Sequence, residues 1–155
     1  MIELREFQAG DAPALRAVFE SAIHGTARRH YSQLQVDTWA PRTYDAAAWA
    51  AKLQALAPFV ALLDGAIAGY ADVQPSGYID HFYVASTAGG QGVGGALMRR
   101  ILARAEDLQL AELSSHVSLT AQPFYAHFGF EVVEHRVFDV RGVQMCNAAM
   151  RKRLR

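Results

Sequence analysis

Cysteine is nearly absent: the 155-residue chain carries one, Cys146. A single thiol cannot close an internal disulfide and offers no thiolate cluster for zinc. A reducing cytoplasm is the expected home. Long hydrophobic runs are missing too. No stretch approaches the ~18 apolar residues of a membrane span. The opening MIELREFQAGD carries acids and has no apolar core of signal-peptide length. Neither sign of charge is in excess, since 15 Lys and Arg balance 15 Asp and Glu for a formal net charge of +0. That balance argues against a nucleic-acid or anionic-membrane partner. Internal repeats and low-complexity linkers are lacking. His24 and His30 match no zinc spacing, and no metal is expected.

What is present suits one globular domain over residues 1–155, with 52% hydrophobic and 19% charged residues. Alternation predicts a first strand over 2–7. Asp11 and Pro13 then open a helix with Leu15, Val18, Phe19, Ala22 and Ile23 on one face, ending near Gly25. A short helix is expected around 32–39, stopped by Pro41, and another from Thr43 or Asp45 to Pro58. Apolar runs on either side of Asp64-Gly65 predict a hairpin. With 78–84, residues 59–84 read as three antiparallel strands. A helix over 93–108 turns Leu97, Met98, Ile101, Leu102, Ala105 and Leu108 inward. A strand at 113–117, a short helix ended by Gly129, and strands over 130–140 and 143–150 complete the chain. The fold class is α/β, an α+β mixed sheet. Its one crossover, from strand 79–84 through helix 93–108 to strand 112–117, should be parallel and right-handed.

The informative stretch is V-A-S-T-A-G-G-Q-G-V-G-G-A-L-M-R-R, from Val84 to Arg100. A small-residue loop between a strand and a helix lets a ligand approach the backbone. The helix start adds unpaired N–H groups and a positive dipole end, a ready anion site, most often for phosphate. The P-loop pattern is excluded, because no Lys and Ser/Thr follow Gly94-Gly95. A dinucleotide fingerprint is spelled by Gly90, Gly92 and Gly95, but alternating βα units on both sides of the loop are missing. Gln91, Gly94 and Ala96 spell Q-x-x-G-x-A. In this the chain resembles the GNAT superfamily of acyl-CoA N-acyltransferases, whose pyrophosphate loop reads [Q/R]-x-x-G-x-[G/A]. Pro123-Phe124-Tyr125-Ala126-His127-Phe128-Gly129-Phe130 resembles the family's F-Y-x-x-x-G-F ending, and Ser118-Leu119-Thr120-Ala121 its S-x-x-A segment. The likeness covers the C-terminal two thirds. The N-terminal third agrees in element type only. The run ending in W-A-P and the tail F-D-V-R-G-V-Q look like a bacterial subgroup of N-acetyltransferases.

The resemblance implies the GNAT fold, a central, mostly antiparallel sheet with one parallel crossover, flanked by helices. It implies transfer of an acetyl group from acetyl-CoA, the acyl-donor substrate, to a primary amine of a small molecule or protein. The amine attacks directly in a ternary complex. Backbone amides at Phe82, Val84 and Tyr83 would meet the thioester oxygen. Those of Gln91, Gly92, Val93, Gly94, Gly95 and Ala96 would hold the pyrophosphate, with Ser118 and Tyr125 also against the donor. Tyr125 is the expected proton donor to the departing thiolate, since a phenol with a pKa near 10 is protonated at neutral pH. The amine must lose a proton, and Asp80, His81 and His116 are the candidate bases, with a water chain as the alternative. Asp80 and His81 have opposite parity, so one should face the acceptor and the other away. His24, Arg28, His30, Tyr31, Trp39 and Phe138 are candidates for the acceptor pocket. Monomer and homodimer are both open, with Arg151, Lys152 and Arg153 on the last strand as a contact. A non-catalytic acyl-CoA-binding module and a dinucleotide-binding protein are the alternatives.

Overall fold

A computed structural model describes residues 1–155 throughout. In chain order it contains β1 (Ile2–Glu6), α1 (Ala12–Ser21), α2 (Gln33–Trp39), α3 (Ala46–Leu56), β2 (Phe59–Leu63), β3 (Ala66–Ala71), β4 (Tyr78–Ile79) and β5 (Phe82–Val84). α4 (Val93–Asp107), β6 (Glu112–Val117), α5 (Gln122–His127), β7 (Glu131–Val140) and β8 (Val143–Arg153) follow. Local signals account for most boundaries. Ser32 caps α2 by accepting from the Gln35 N–H at 3.1 Å, and Asp45 caps α3 through the Ala48 N–H at 3.0 Å. α1 runs on as a π-helical turn over Ala22–Thr26 and a 3-10 turn over Ala27–Arg29, beyond the stop expected near Gly25. Asp64 and Gly65 both take positive φ between β2 and β3, the turn expected there.

The strands form two four-stranded half-sheets, ordered β1-β2-β3-β5 and β4-β6-β8-β7. Every pairing is antiparallel except β4 with β6. α4 makes that parallel crossover. The strand expected over 79–84 is interrupted at Asp80 and His81, so its first part belongs to one half-sheet and its second part to the other. The break has an identifiable cause. The carboxylate of Asp72, fully buried just past β3, accepts the N–H of His81 at 2.6 Å and that of Asp80 at 3.2 Å. Gln74 adds its Nε2 at 2.6 Å. Two N–H groups that would otherwise join a strand ladder are thus satisfied by a side chain, and the half-sheets splay apart there. Burial raises the Asp72 carboxyl above the ordinary carboxylate range, against the lowering effect of these hydrogen bonds.

α4 covers one face. Leu97, Met98, Ile101 and Ala105 are fully buried with Ile79, Leu113, Val117 and Phe130. Leu108, expected inward, is 46% exposed because the helix has ended before it. The first three helices cover the other face, where Leu15, Ile23, Val36, Leu53 and Tyr70 are buried. Each face therefore buries its own apolar stripe, and the cleft between the half-sheets opens where the two cores meet.

Candidate active site

The cleft begins at the splay. The Asp72 N–H reaches the His81 carbonyl at 3.1 Å, and the Ala85 N–H reaches the Ala68 carbonyl at 2.8 Å. Alternate residues of an antiparallel ladder turn opposite ways. Tyr83, opposite Tyr70, thus directs its N–H to β3, while the N–H groups of Phe82 and Val84 face the gap. Two donors aimed into an apolar cleft suit an oxygen that gains negative charge.

The glycine loop supplies the second set of donors. The N–H groups of Gln91, Gly92, Val93, Gly94 and Gly95 have no acceptor within the protein, whereas that of Ala96 already bonds the Gly92 carbonyl at 3.0 Å. The Ala96 amide is therefore spent in the helix, and the open set is 91–95. Gly94 sits in a tight place. A Cβ there would lie 3.2 Å from the Phe124 ring and 3.8 Å from Val84 Cγ2. A bare backbone at this point leaves room against the cleft wall.

Three hollows run through the cleft. The first, about 220 Å³, is mostly apolar and lies against Phe82, Val84, Gly94, Ser118, Phe124 and Tyr125. The second, about 50 Å³, lies at the seam between Asp80, Phe82, Ser115, His116 and Tyr125. The third, about 260 Å³, is lined by Tyr31, Trp39, Tyr78, Asp80, His116 and Phe138, among others. Trp39, Tyr83 and Ser118 line all three, so they form one passage with a narrow middle.

Tyr125 is 3% exposed, its ring packed on Phe82 and Phe130 with centroids 5.8 and 4.9 Å away. Burial pushes its phenol well above the ordinary value, against the lowering effect of the nearby Ser115 hydroxyl, so it holds its proton at neutral pH. Ser115 itself donates to the Ile79 carbonyl at 2.8 Å, which locks β4 to β6 beside the seam. Asp80 lines the middle and third hollows and pairs with Lys52 Nζ at 2.7 Å. His116 lines the same two and shares a 3.3 Å hydrogen bond with the Tyr78 hydroxyl. Partial burial lowers its pKa, so the ring is neutral at pH 7.

His81 is elsewhere. Its ring sits among Phe19, Trp49, Tyr70 and Tyr83, bonded to the Tyr70 hydroxyl at 3.0 Å, and lines none of the three hollows. Burial lowers its pKa to about 4. The unfolded chain, at about 6.5, therefore binds the proton first. The stability this site contributes is complete above pH 6.5 and is lost as pH falls towards 4, by up to about 3 kcal/mol. The raised Asp72 carboxyl acts with the opposite sign, gaining its proton in the folded state first. Urea unfolding at pH 7 and pH 4.5 of the wild type and His81→Gln separates the two, with a smaller pH-dependent loss expected in the variant. An equal loss in both proteins would contradict the burial of this imidazole.

Of the other acceptor candidates, Tyr31, Trp39 and Phe138 line the third hollow. The Tyr31 hydroxyl donates to the Cys146 carbonyl at 2.6 Å and accepts the Leu119 N–H at 3.0 Å, tying the helical layer to the second half-sheet. His24 and Arg28 line a separate polar hollow with Glu20 and Arg42. His30 bonds Thr120 Oγ1 at 2.8 Å. β8, with Arg151, Lys152 and Arg153, lies between β6 and β7, so the outer strand of its half-sheet is β7. No helix is long and apolar enough to cross a membrane. Lys52 and Asp72 carry no motif signal. Asp72 shows only as an acid following an apolar run.

With a splayed mixed sheet, open amides at a glycine loop and a buried tyrosine at the seam, the architecture is that of an acyl-CoA-type acyltransferase. The chain matches the acetyltransferase (GNAT) domain over residues 27–154 and belongs to that family. It is 32% identical over 150 residues to the uncharacterized N-acetyltransferase YafP of Escherichia coli (strain K12), covering 97% of this chain and 95% of that protein. The crystal structure of a GCN5-related N-acetyltransferase from Rhodopseudomonas palustris superposes with a TM-score of 0.93 at 28% identity, covering 98% of this chain and 95% of the other. The PaiA N-acetyltransferase of Thermoplasma acidophilum, solved in complex with coenzyme A, superposes with a TM-score of 0.75 at 17% identity over 99% of both chains. The dinucleotide-binding alternative falls with this family assignment.

Proposed function

We propose that this protein transfers the acetyl group of acetyl-CoA to a primary amine by direct attack in a ternary complex. The observation that carries the reading is the passage itself, with an apolar arm and a polar-ended arm meeting at Tyr125, Asp80 and His116 beside two open amides. The donor substrate's pyrophosphate lies on the 91–95 amides and its apolar arm enters the first hollow. This placement is supported by the free N–H set, by the cramped position of Gly94 and by the relative that binds coenzyme A.

The amine occupies the third hollow. Asp80 attracts its ammonium form, and His116, neutral at pH 7, takes the proton that must leave before attack. Asp80 is the weaker choice as base because its carboxylate is already engaged in the ion pair with Lys52 at 2.7 Å. The amine nitrogen then bonds to the thioester carbon while the Phe82 and Val84 amides hold the oxygen's growing charge. The C–S bond breaks, the electron pair leaves on sulfur, and Tyr125 supplies the proton that yields the free thiol, while the second proton leaving the amide nitrogen restores the phenol. The products are an N-acetyl amine and CoA thiol, with one proton released from the ammonium.

Thiol release from acetyl-CoA across a panel of polyamines, aminoglycosides, amino acids and lysine peptides tests this reading. An amine-dependent rate is expected, and His116→Gln should lower kcat about 100-fold on the best amine. Acetyl-CoA binding without thiol release from any amine would instead favour a binding module with the same fold.

A further inference from the structure

The third hollow also has a chemical character that selects its occupant. Its walls are rings: Tyr31 and Trp39 meet edge to face at 5.4 Å, Trp39 and Tyr83 at 6.4 Å, and Tyr78 and His116 at 5.6 Å, with Phe138 on the outer strand β7. At about 260 Å³ it is larger than the ~150 Å³ cavity that holds one benzene. Its space suits one ring with a short chain. Ring faces attract both another flat apolar group and a cation.

The charges are few and asymmetric. One lining carboxylate, Asp80, lies at the inner end and pairs with Lys52 at 2.7 Å. The far end carries a cation: Arg141 lines the hollow and donates to the Thr38 carbonyl. Arg136 stands behind the wall between the two ends. It bonds the Oδ1 of Asn147, a lining residue, at 2.9 Å, its guanidinium lies 4.8 Å from the Phe138 ring centroid, and its charge reaches His116 and Tyr78. A single positive charge is welcome at Asp80. A second or third, as in a polyamine, would meet Arg136 along the wall and Arg141 at the far end.

Resting on the acetyltransferase reading, we infer that the acceptor is a monocationic arylalkylamine, with its amine at Asp80 and its ring between Trp39, Tyr78 and Phe138. No motif on the chain points to this class. It follows from the rings and from the order of charges along the hollow.

2-Phenylethylamine and spermidine are the probes. Calorimetry on the CoA-loaded protein reads binding, and thiol release from acetyl-CoA reads transfer. Phenylethylamine should bind, and its kcat/KM should exceed that of spermidine at least about tenfold. Phe138→Ala should reduce phenylethylamine affinity about tenfold and leave acetyl-CoA affinity unchanged, since Phe138 does not line the donor hollow. The wild-type preference stands as a test by itself should the variant fold poorly. Preference for spermidine or a lysine peptide overturns the substrate class and leaves the acetyltransferase standing. Failure of phenylethylamine to bind also overturns it. Phenylethylamine binding that Phe138→Ala weakens, with no transfer to any amine, supports the ligand class and removes the acetyltransferase reading instead.

Discussion

Gly94→Asp should abolish acetyl-CoA binding, with affinity lowered about 100-fold or more in a direct titration. Two effects add. The new Cβ meets the Phe124 ring at 3.2 Å, in the wall of the apolar arm. The carboxylate then stands beside the 91–95 amides, where the pyrophosphate charge is placed. A like charge about 4 Å away costs about 4 kcal/mol at an effective dielectric near 20. A 100-fold loss needs only about 2.7 kcal/mol. The electrostatic effect therefore decides the outcome, and Gly94→Ala, which brings crowding alone, should lose less than about tenfold. Equal affinity for acetyl-CoA in the wild type and the Asp variant would move the pyrophosphate away from this loop.

Tyr125→Phe should lower kcat about 100-fold or more while acetyl-CoA affinity stays within about twofold. The ring keeps its contacts with Phe82 and Phe130, so the donor hollow is unchanged in shape. Only the hydroxyl and its proton are lost. The raised pKa of this phenol does not count against the role. A thiolate released into the same dry hollow is itself made more basic than in water, where its pKa is about 8.5. Burial thus shifts donor and acceptor of the proton in the same direction. A Phe variant at full rate would remove Tyr125 from the chemistry.

The parts of the site legible in the chain are those whose chemistry needs consecutive residues. A loop of open amides must be a run, and Gln91 to Gly95 is one. A short helix that presents a tyrosine and stops at once must also be a run, from Pro123 to Phe130. The fold class followed from periodicity, because the stripe through Leu97, Met98 and Ile101 and the Asp64-Gly65 hairpin are local signals.

What was not legible depends on partners distant in sequence. Parity across Asp80 and His81 assumes an unbroken strand. Asp72, just past β3, breaks it by taking both N–H groups. The assignment of Asp80 to the cleft and His81 to the aromatic core then rests on Lys52, Phe19, Trp49 and Tyr70. The third hollow draws on α2, β4, β6, β7 and β8, so no window of the chain displays it.

The central claim is direct transfer across the seam, and initial-rate kinetics with both substrates varied test it most directly. Attack in a ternary complex predicts intersecting double-reciprocal lines and no acetylated protein when acetyl-CoA is supplied alone. The one thiol of the chain, Cys146, lines the third hollow and is the group a two-step route would use. Parallel lines, with an acetyl group on the protein by intact mass, would contradict the account.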